Sequence, residues 1–198
     1  MILEMKKGRQ EVVKRIFDLI LAVFLIILLS IPLAVIALWI KLSSKGSAIF
    51  WTDRVGINNA IFKMAKFRTM RTDTPQVATH LMENPESYLI LCGKFLRRYS
   101  LDELPQLFNV LKGDMSFVGP RPALFNQDDL VALRTEKGIH RLIPGVTGWA
   151  QINGRDELLI PVKVSFDEYY LKHCSFLFDL RIIFLTALKV IRKEGVTH

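Results

Sequence analysis

One long apolar run constrains this chain more than any other feature. It extends from Ile16 to Ile40, with the sequence IFDLILAVFLIILLSIPLAVIALWI. A straight helix of this length measures about 37 Å, which is enough to cross a bilayer. A signal peptide has a much shorter apolar region and a cleavage site with small residues, a pattern that the following KLSSKGSA fits poorly. A core helix that is apolar on all sides needs a larger protein around it. The run is therefore predicted to be a membrane segment.

The flanks and the middle of the run bear on whether this helix spans the membrane or returns to the same side. Positive charge marks the cytoplasmic side, and both flanks carry it: Lys6, Lys7, Arg9, Lys14 and Arg15 precede the run, and Lys41 and Lys45 follow it. Pro32 removes a backbone donor and kinks a helix, and the Ser30 hydroxyl can bind a freed carbonyl. We expect a re-entrant helix that breaks near Ser30 and Pro32. A bent single span stays open as the alternative.

Composition indicates the class of partner. The chain has 198 residues, a net charge of +8 and 51% hydrophobic residues, which suits one domain with additional apolar surface. Excess positive charge favours a polyanionic partner such as nucleic acid, anionic lipid or a phosphorylated substrate. The apolar bias argues against a nucleic-acid binder. Cys92 and Cys174 lack metal-ligand spacing and are expected to be free thiols in a reducing compartment.

The remaining segments predict a mixed α/β fold that is mostly helical, with a small antiparallel sheet. Short apolar–polar runs at 48–56 and 60–70 predict two strands, joined by a turn at Asn58-Asn59. Residues 72–87 are typical of a surface loop. Helical spacing covers the ranges 88–98, 128–138, 166–173 and 178–193. The last of these has an apolar stripe and basic final turns; it suits either core packing or an interfacial helix on the membrane surface. We expect a membrane part at 1–45 and a catalytic domain at 46–198.

The segment from Arg97 to Pro122 contains an adjacent pair of acids, Asp102 and Glu103. Because Pro105 is tolerated only in the first helical turn, a helix is predicted to begin near Ser100 or Asp102 and to stop at Gly113. Spacing alone favours a capping role, since Ser100 with Glu103 matches a capping box.

Three features favour chemistry at the acidic pair instead. Two carboxylates exceed what one cap requires, Arg97 and Arg98 lie just upstream, and a helix N-terminus favours anions. Such a set can hold a phosphate bridged by a divalent cation, and a carboxylate can attack the phosphorus to give an acyl phosphate. Spacing does not indicate which carboxylate attacks.

Three further segments suggest ligand binding, although each is also compatible with an ordinary turn or a solvated strand face. Gly119-Pro120-Arg121-Pro122 is a rigid loop that presents one guanidinium. The glycine-rich segment 143–156 contains Arg155, and its glycines permit close approach of the backbone to a ligand. KFRTM is expected to place Lys66 and Arg68 on one face of a strand.

Together these motifs resemble the bacterial sugar transferase family, the monotopic phosphoglycosyl transferases. The resemblance rests on KR-x-x-D beside the apolar run, KFRTM, SLDELPQLFNVLKGDMSFVGPRP and PGVTGWAQINGR. It extends from about Lys14 to about Arg192, and its central block is long and specific. The family usually has Ser-Pro at the helix break, whereas this chain has Ser30-Ile31-Pro32.

The resemblance implies a re-entrant membrane helix, Mg²⁺ and a two-step mechanism at the cytoplasmic face of the bacterial inner membrane. Asp102 resembles the nucleophile that attacks a UDP-sugar and releases UMP, and Glu103 resembles the Mg²⁺ ligand. Polyprenyl phosphate then collects the phosphosugar. The positions that match substrate-binding residues of the family are Lys66, Arg97, Pro120, Arg121, Pro122 and Arg155.

Membrane lipids and downstream glycosyltransferases are the further expected partners; nucleic acid is not. A metal-dependent hydrolase of nucleotide sugars and a non-catalytic membrane adaptor remain as rival hypotheses. The identity of the sugar is not indicated by the sequence.

Overall fold

The computed structural model describes residues 2–74, 85–154 and 158–192. Helices predominate, as the sequence predicts: α1 (Ile2–Leu28), α2 (Ser30–Ser43), α3 (Gly93–Arg98), α4 (Gln106–Lys112), α5 (Asp128–Glu136), α6 (Trp149–Ile152), α7 (Ile160–His173) and α8 (Phe176–Arg192). The strands are β1 (Ile49–Val55), β2 (Ile61–Phe67), β3 (Ser116–Val118) and β4 (Gly145–Thr147). Short 3₁₀ turns cover Ile57–Asn59, Pro85–Tyr88, Leu101–Glu103 and Ile139–Arg141.

The apolar run is broken between α1 and α2, where the helix direction changes by 62°. The Ser30 hydroxyl donates a hydrogen bond of 2.9 Å to the carbonyl of Ile27. Pro32 stands in the first turn of α2, where its missing N–H is tolerated. The predicted break near Ser30 and Pro32 is therefore confirmed. No single described helix has the length and apolarity to cross a membrane, but the bent pair has them when its two helices are taken together.

Both helices of the pair use one face for packing and leave another uncovered. Ala22 of α1 joins the largest buried cluster, which includes residues from β2, α4, β3, α6, α7 and α8. Ile36 and Ile40 of α2 pack in a second cluster with Leu96 of α3. Large apolar side chains on the outer faces remain exposed, among them Ile20, Ile27, Ile31, Val35 and Leu42.

Polar residues of α1 fasten it to the catalytic part of the chain. The Lys14 ammonium donates to Asp179 of α8 at 2.6 Å and to the carbonyl of Val118 at 3.0 Å. The Arg15 guanidinium binds the last carbonyls of α4 at 2.6 and 2.8 Å. The Asp18 carboxylate accepts the N–H of Phe117 at 3.3 Å. The KR-x-x-D motif therefore docks α1 onto β3 and α4.

The sheet prediction is confirmed in part. β1 and β2 form an antiparallel hairpin, with Ile49 opposite Phe67 and Val55 opposite Ile61. Asn58 and Asn59 adopt positive φ in the connecting turn, a conformation that asparagine tolerates. The second pair, β3 and β4, is parallel. It joins strands distant in sequence, and each is too short for its alternation to be recognised from sequence.

The predicted helix bounds differ from the observed ones where tertiary contacts intervene. The helix expected at 88–98 begins only at Gly93, because Leu89 bridges to Met70 and the Ile90 N–H binds the Thr69 carbonyl. The predicted helix at 128–138 is observed as α5, and α7 begins earlier than expected. Of the predicted loop at 72–87, residues 85–87 belong to a 3₁₀ turn and residues 75–84 lie outside the described residues.

Candidate active site

The acidic pair lies in a 3₁₀ turn, Leu101–Glu103, and α4 begins only at Gln106. The prediction that α4 begins near Ser100 or Asp102 is therefore wrong by about one turn. Ser100 has a φ of 54° and its side chain makes no capping hydrogen bond. The capping-box interpretation is also wrong, because the Glu103 carboxylate points to cations on other segments instead of to the Ser100 backbone.

Glu103 is the point at which three separate segments meet. Its Oε1 atom accepts a hydrogen bond from Lys66 Nζ of β2 at 2.7 Å and another from Arg121 Nη2 of the loop after β3 at 3.1 Å. All three side chains are largely buried. Lys66 and Arg121 are more than fifty positions apart in sequence, so only the tertiary fold brings both onto one carboxylate.

The surroundings shift the pKa values of the two acids in opposite directions. Burial tends to raise the pKa of Glu103, but the Lys66 ammonium and the Arg121 guanidinium together hold that pKa well below its usual range. Burial is the largest influence on Asp102 and raises its pKa, and the negative charge of Glu103 raises it further. The positive charges of Lys66 and Arg97 lower the pKa but do not cancel the rise. Two neighbouring carboxylates with divergent pKa values are typical of sites where each has a different task. Glu103 is thus the member whose charged form the surroundings favour.

Arg97 of α3 lies beside Asp102, close enough for their charges to interact. Its Nε donates to the Thr69 hydroxyl at 3.0 Å, which fixes the guanidinium at the end of β2. Arg68 does not share this site: it follows β2, is buried, and donates to the carbonyls of Ser47 and Ser44. The expectation that Lys66 and Arg68 share a strand face is therefore wrong, because β2 ends at Phe67.

Asn109, which the sequence argument did not single out, holds α4 against β2. Its buried side chain accepts the Ala65 N–H at 3.0 Å and donates to the Lys63 carbonyl at 2.8 Å. One amide side chain thereby binds the edge of β2 at two backbone positions just before Lys66. A polar residue inside the apolar pattern of α4 is the signal that could have indicated this role.

The Gly119–Pro122 loop is held from several directions. The Gly119 N–H donates to the Thr147 carbonyl and the Gly145 N–H donates to the Pro120 carbonyl, both at 2.9 Å. A Cβ at Gly145 would lie 2.1 Å from the Gly119 nitrogen, so the two chain segments touch backbone to backbone. These contacts place the Arg121 side chain on Glu103.

A buried ion pair supports the same loop from behind. Arg134 of α5 donates through Nη1 to the Arg121 carbonyl at 2.8 Å. Its Nε and Nη2 atoms bind Oδ2 of Asp167 on α7 at 3.0 and 2.6 Å. The Pro122 carbonyl accepts a further hydrogen bond from Arg54 of β1 at 3.3 Å. Neither Arg134 nor Asp167 belongs to a motif noted in the sequence; both lie on helices that helical spacing predicts, but spacing does not indicate that the two side chains meet.

The remaining predicted site residues are placed as follows. Pro120, Arg121 and Pro122 line one cavity together with residues of the β1–β2 turn and His140. Arg155, expected near the phosphates, lies outside the described residues. Ser30 and Pro32 stand at the helix break, not at the acidic site.

The donor set suits a magnesium ion shared with a phosphate. Within the described residues no group of three or more histidine, cysteine, aspartate or glutamate side chains could hold a metal alone. Mg²⁺ commonly takes only one or two protein carboxylates and completes its shell with waters and substrate phosphates. Both cations contact Oε1 of Glu103, and no hydrogen bond from the described residues reaches Oε2. Glu103 therefore fits this role.

Comparison with known proteins identifies the family of the chain. Residues 9–193 match the model of the family described as bacterial sugar transferase. The chain is 41% identical to the uncharacterized sugar transferase EpsL of Bacillus subtilis, covering 93% of this chain and 90% of that protein. It is 36% identical to the exopolysaccharide production protein ExoY of Sinorhizobium fredii, covering 92% and 87%.

Longer relatives carry names that specify a reaction. The chain is 41% identical to the UDP-glucose:undecaprenyl-phosphate glucose-1-phosphate transferase of Escherichia coli, over 92% of this chain and 41% of that protein. It therefore spans about two fifths of that relative's length. The family match over almost all of its length, and the relatives that it matches nearly end to end, lead to one conclusion: this chain belongs to the bacterial sugar transferase family.

Proposed function

We propose that the protein transfers a sugar 1-phosphate from a UDP-sugar to polyprenyl phosphate, giving polyprenyl diphosphate sugar and UMP. This is the first membrane step in assembling a glycoconjugate. The observation that carries the proposal is the acidic pair itself: Glu103 is charge-neutralised by Lys66 and Arg121, and Asp102 stands beside it with Arg97. The names of the longer relatives support the choice of donor and acceptor.

In the first step the Asp102 carboxylate attacks the β-phosphorus of the UDP-sugar. A bond forms between a carboxylate oxygen and that phosphorus, while the bond from the phosphorus to the bridging oxygen breaks and UMP leaves with the electron pair. Arg97 and Lys66 lie where negative charge builds up on the phosphoryl oxygens, and preorganised cations stabilise such charge. The product is a phosphosugar held on Asp102 as an acyl phosphate.

In the second step an oxygen of polyprenyl phosphate attacks the same phosphorus. The acyl–oxygen bond to phosphorus breaks, and Asp102 returns as a carboxylate, ready for another donor. Glu103 would hold Mg²⁺, which would supply neutralisation of the diphosphate charge and of the leaving phosphate. Glu103 suits this task because its low pKa keeps it ionised, while Arg121 holds its orientation.

The acceptor is a lipid, and the chain has apolar surface suited to a membrane. The bent pair α1–α2 exposes large aliphatic side chains, and α8 exposes Leu177, Leu180 and Phe184 on one face. Basic residues stand on both sides of the apolar run. These features support a re-entrant α1–α2 pair inserted from the cytoplasmic face of the inner membrane, with α8 lying on its surface.

The nucleophile is tested by changing Asp102→Asn, which leaves the shape of the side chain but removes its charge. We expect UMP release to fall to background while the unfolding temperature stays near that of the wild type. Asp53→Asn provides the matched control, because Asp53 is an exposed acid paired with Lys63 on the hairpin. Mass spectrometry of wild-type protein mixed with UDP-sugar alone should find one phosphosugar on the peptide containing Asp102. Full turnover by Asp102→Asn would exclude it as nucleophile.

The reaction class is tested by omitting the acceptor. A hydrolase of nucleotide sugars releases sugar phosphate without any lipid, whereas a transferase requires polyprenyl phosphate for continuous turnover. A membrane adaptor releases no UMP from any UDP-sugar and is indifferent to changes at Asp102 or Glu103. A panel of UDP-sugars, scored by UMP release, identifies the sugar.

A further inference from the structure

Three aromatic side chains form a continuous exposed surface beside the acidic pair. Trp39 of α2 contacts Phe95 of α3 with ring centroids 5.8 Å apart, and Phe95 contacts Tyr99 at 4.9 Å. Their exposed fractions are 39%, 46% and 37%. We call these three residues the aromatic ledge. Folding gains little from aromatic rings left this open, so a contiguous exposed group of them indicates a binding surface.

The ledge occupies the outer face of α3, opposite its packing face. Cys92 and Leu96 are fully buried in the cluster shared with α2. Phe95, Arg98 and Tyr99 are spaced at i, i+3 and i+4 and therefore share the other face. Arg98 is exposed, and no hydrogen bond or ion pair joins it to the described residues. Arg98 thus stands next to the apolar side chains without a carboxylate partner in the described part of the chain, whereas Lys94, the other exposed cation of α3, is paired with Glu86.

The ledge connects the exposed face of α2 to the acidic site. On α2, Val35, Leu38 and Leu42 are exposed and lead along the helix toward Trp39. At the other end Tyr99 precedes Asp102 by three residues. The consecutive arginines differ in direction: Arg98 belongs to the ledge face, while Arg97 binds Thr69 and lies beside Asp102. The two arginines therefore place one cation on the ledge face and another at the acidic pair.

We propose that the aromatic ledge binds the polyisoprenoid chain of the lipid acceptor and that Arg98 binds the acceptor's phosphate; this inference rests on the proposed function. Aromatic faces pack well against branched, unsaturated hydrocarbon and are favoured at the membrane interface. A guanidinium is the side chain best suited to hold a phosphate by two hydrogen bonds. Apolar continuity with α2 and a cation that has no carboxylate partner among the described residues match an amphiphile with one anionic end.

The ledge is tested by chain-length selectivity in detergent micelles, where binding to a bilayer plays no part. The assay compares kcat/KM for undecaprenyl phosphate with that for the short farnesyl phosphate. We expect Phe95→Ala and Tyr99→Ala each to lower the value for the long acceptor about tenfold, because apolar contact with the chain is lost, and to change the short one far less. Phe184→Ala is the matched control: it removes an exposed phenylalanine from α8 and should leave the ratio between the two acceptors unchanged.

The Arg98→Gln variant tests binding of the acceptor's phosphate separately from binding of its hydrocarbon chain. It should raise the KM for both acceptors by a similar factor while the KM for the UDP-sugar stays at the wild-type value. Lys94→Gln is its control, since Lys94 lies on the same helix but pairs with Glu86.

The outcomes separate failure of this inference from failure of the proposed function. A wild-type protein that releases no UMP with either acceptor contradicts the proposed function itself. Normal wild-type turnover with an unaltered long-to-short ratio in both ledge variants refutes the ledge. The ledge is also refuted if its variants lose only vesicle binding, which would make it a general anchoring surface.

Discussion

The ion pair between Arg134 and Asp167 offers the sharpest test of how the Gly119–Pro122 loop is supported. Two guanidinium nitrogens bind one carboxylate oxygen at 3.0 and 2.6 Å, and the side chains are only 9% and 2% exposed. The third nitrogen binds the Arg121 carbonyl at 2.8 Å. Asp167→Asn keeps the size of the side chain but leaves the Arg134 charge buried without its counter-charge.

The cost follows from the burial of the pair. Removing one partner of a buried ion pair destabilises a protein by about 3–5 kcal/mol. A protein of this length loses about 2–4 °C in Tm for each kcal/mol, so we expect a fall of about 6–20 °C. Burial raises the pKa of Asp167 even though Arg134 and Lys163 oppose the shift. Desolvation therefore outweighs attraction, and the pair contributes little net stability although breaking it is costly.

Thermal unfolding followed by circular dichroism in detergent measures the effect. Glu168→Gln is the matched control: the neighbouring acid on the same helix undergoes the same chemical change, but its partners Lys172 and Lys137 are 64% and 45% exposed. An exposed pair contributes less than about 1 kcal/mol, so Tm should barely move. Equal and small shifts in the two variants would refute the reasoning.

A double replacement separates stability from the support of the loop. Changing Arg134→Met together with Asp167→Leu removes both buried charges and should restore most of the lost stability. It lacks the hydrogen bond to the Arg121 carbonyl, so the KM for the UDP-sugar should rise above the wild-type value. Recovery of both quantities would show that the loop needs no support from Arg134.

Two further predictions concern the acidic site and the loop backbone. Burial raises the pKa of Asp102, and the Lys66 ammonium opposes this shift. Activity that needs ionised Asp102 is lost as pH falls through that pKa, so Lys66→Met should move the acid limb of kcat/KM for the UDP-sugar to higher pH. An acid limb that stays in place or moves to lower pH contradicts this prediction. Gly145→Ala places a Cβ 2.1 Å from the Gly119 nitrogen and should cost about 3 kcal/mol or more. Its comparison variant, Gly138→Ala, meets no atom within 4 Å and strains only a φ of +74°, at about 1 kcal/mol; denaturant unfolding compares the two.

Local signals predicted the elements of the fold better than their bounds. The hairpin and its Asn58-Asn59 turn follow from alternation and from residues that tolerate positive φ. The break in the apolar run follows from Ser30 and Pro32. The start of α3 did not follow, since a pairing between Ile90 and Thr69 overrides the local helical pattern.

The residues of the candidate site could be predicted from the sequence, but the contacts between them could not. Sequence indicated that Asp102, Glu103, Lys66 and Arg121 are chemically interesting, but on spacing alone it favoured a cap for the acidic pair. The left-handed Ser100 and the two cations on Glu103 Oε1 replace that cap with a charge cluster. Such a result needs distances between segments that periodicity does not contain.

The sequence by itself determined the β1–β2 hairpin and most of the helices, where the apolar run breaks, and which acids and cations are available. These are properties of neighbouring residues, set by backbone sterics and by the spacing of apolar side chains. Only the tertiary structure decided that Lys66 and Arg121 share one carboxylate oxygen, that Asn109 holds β2, and that Arg134 and Asp167 support the loop. Charges act through space, so the protonation of the acidic pair depends on segments that the chain order keeps far apart.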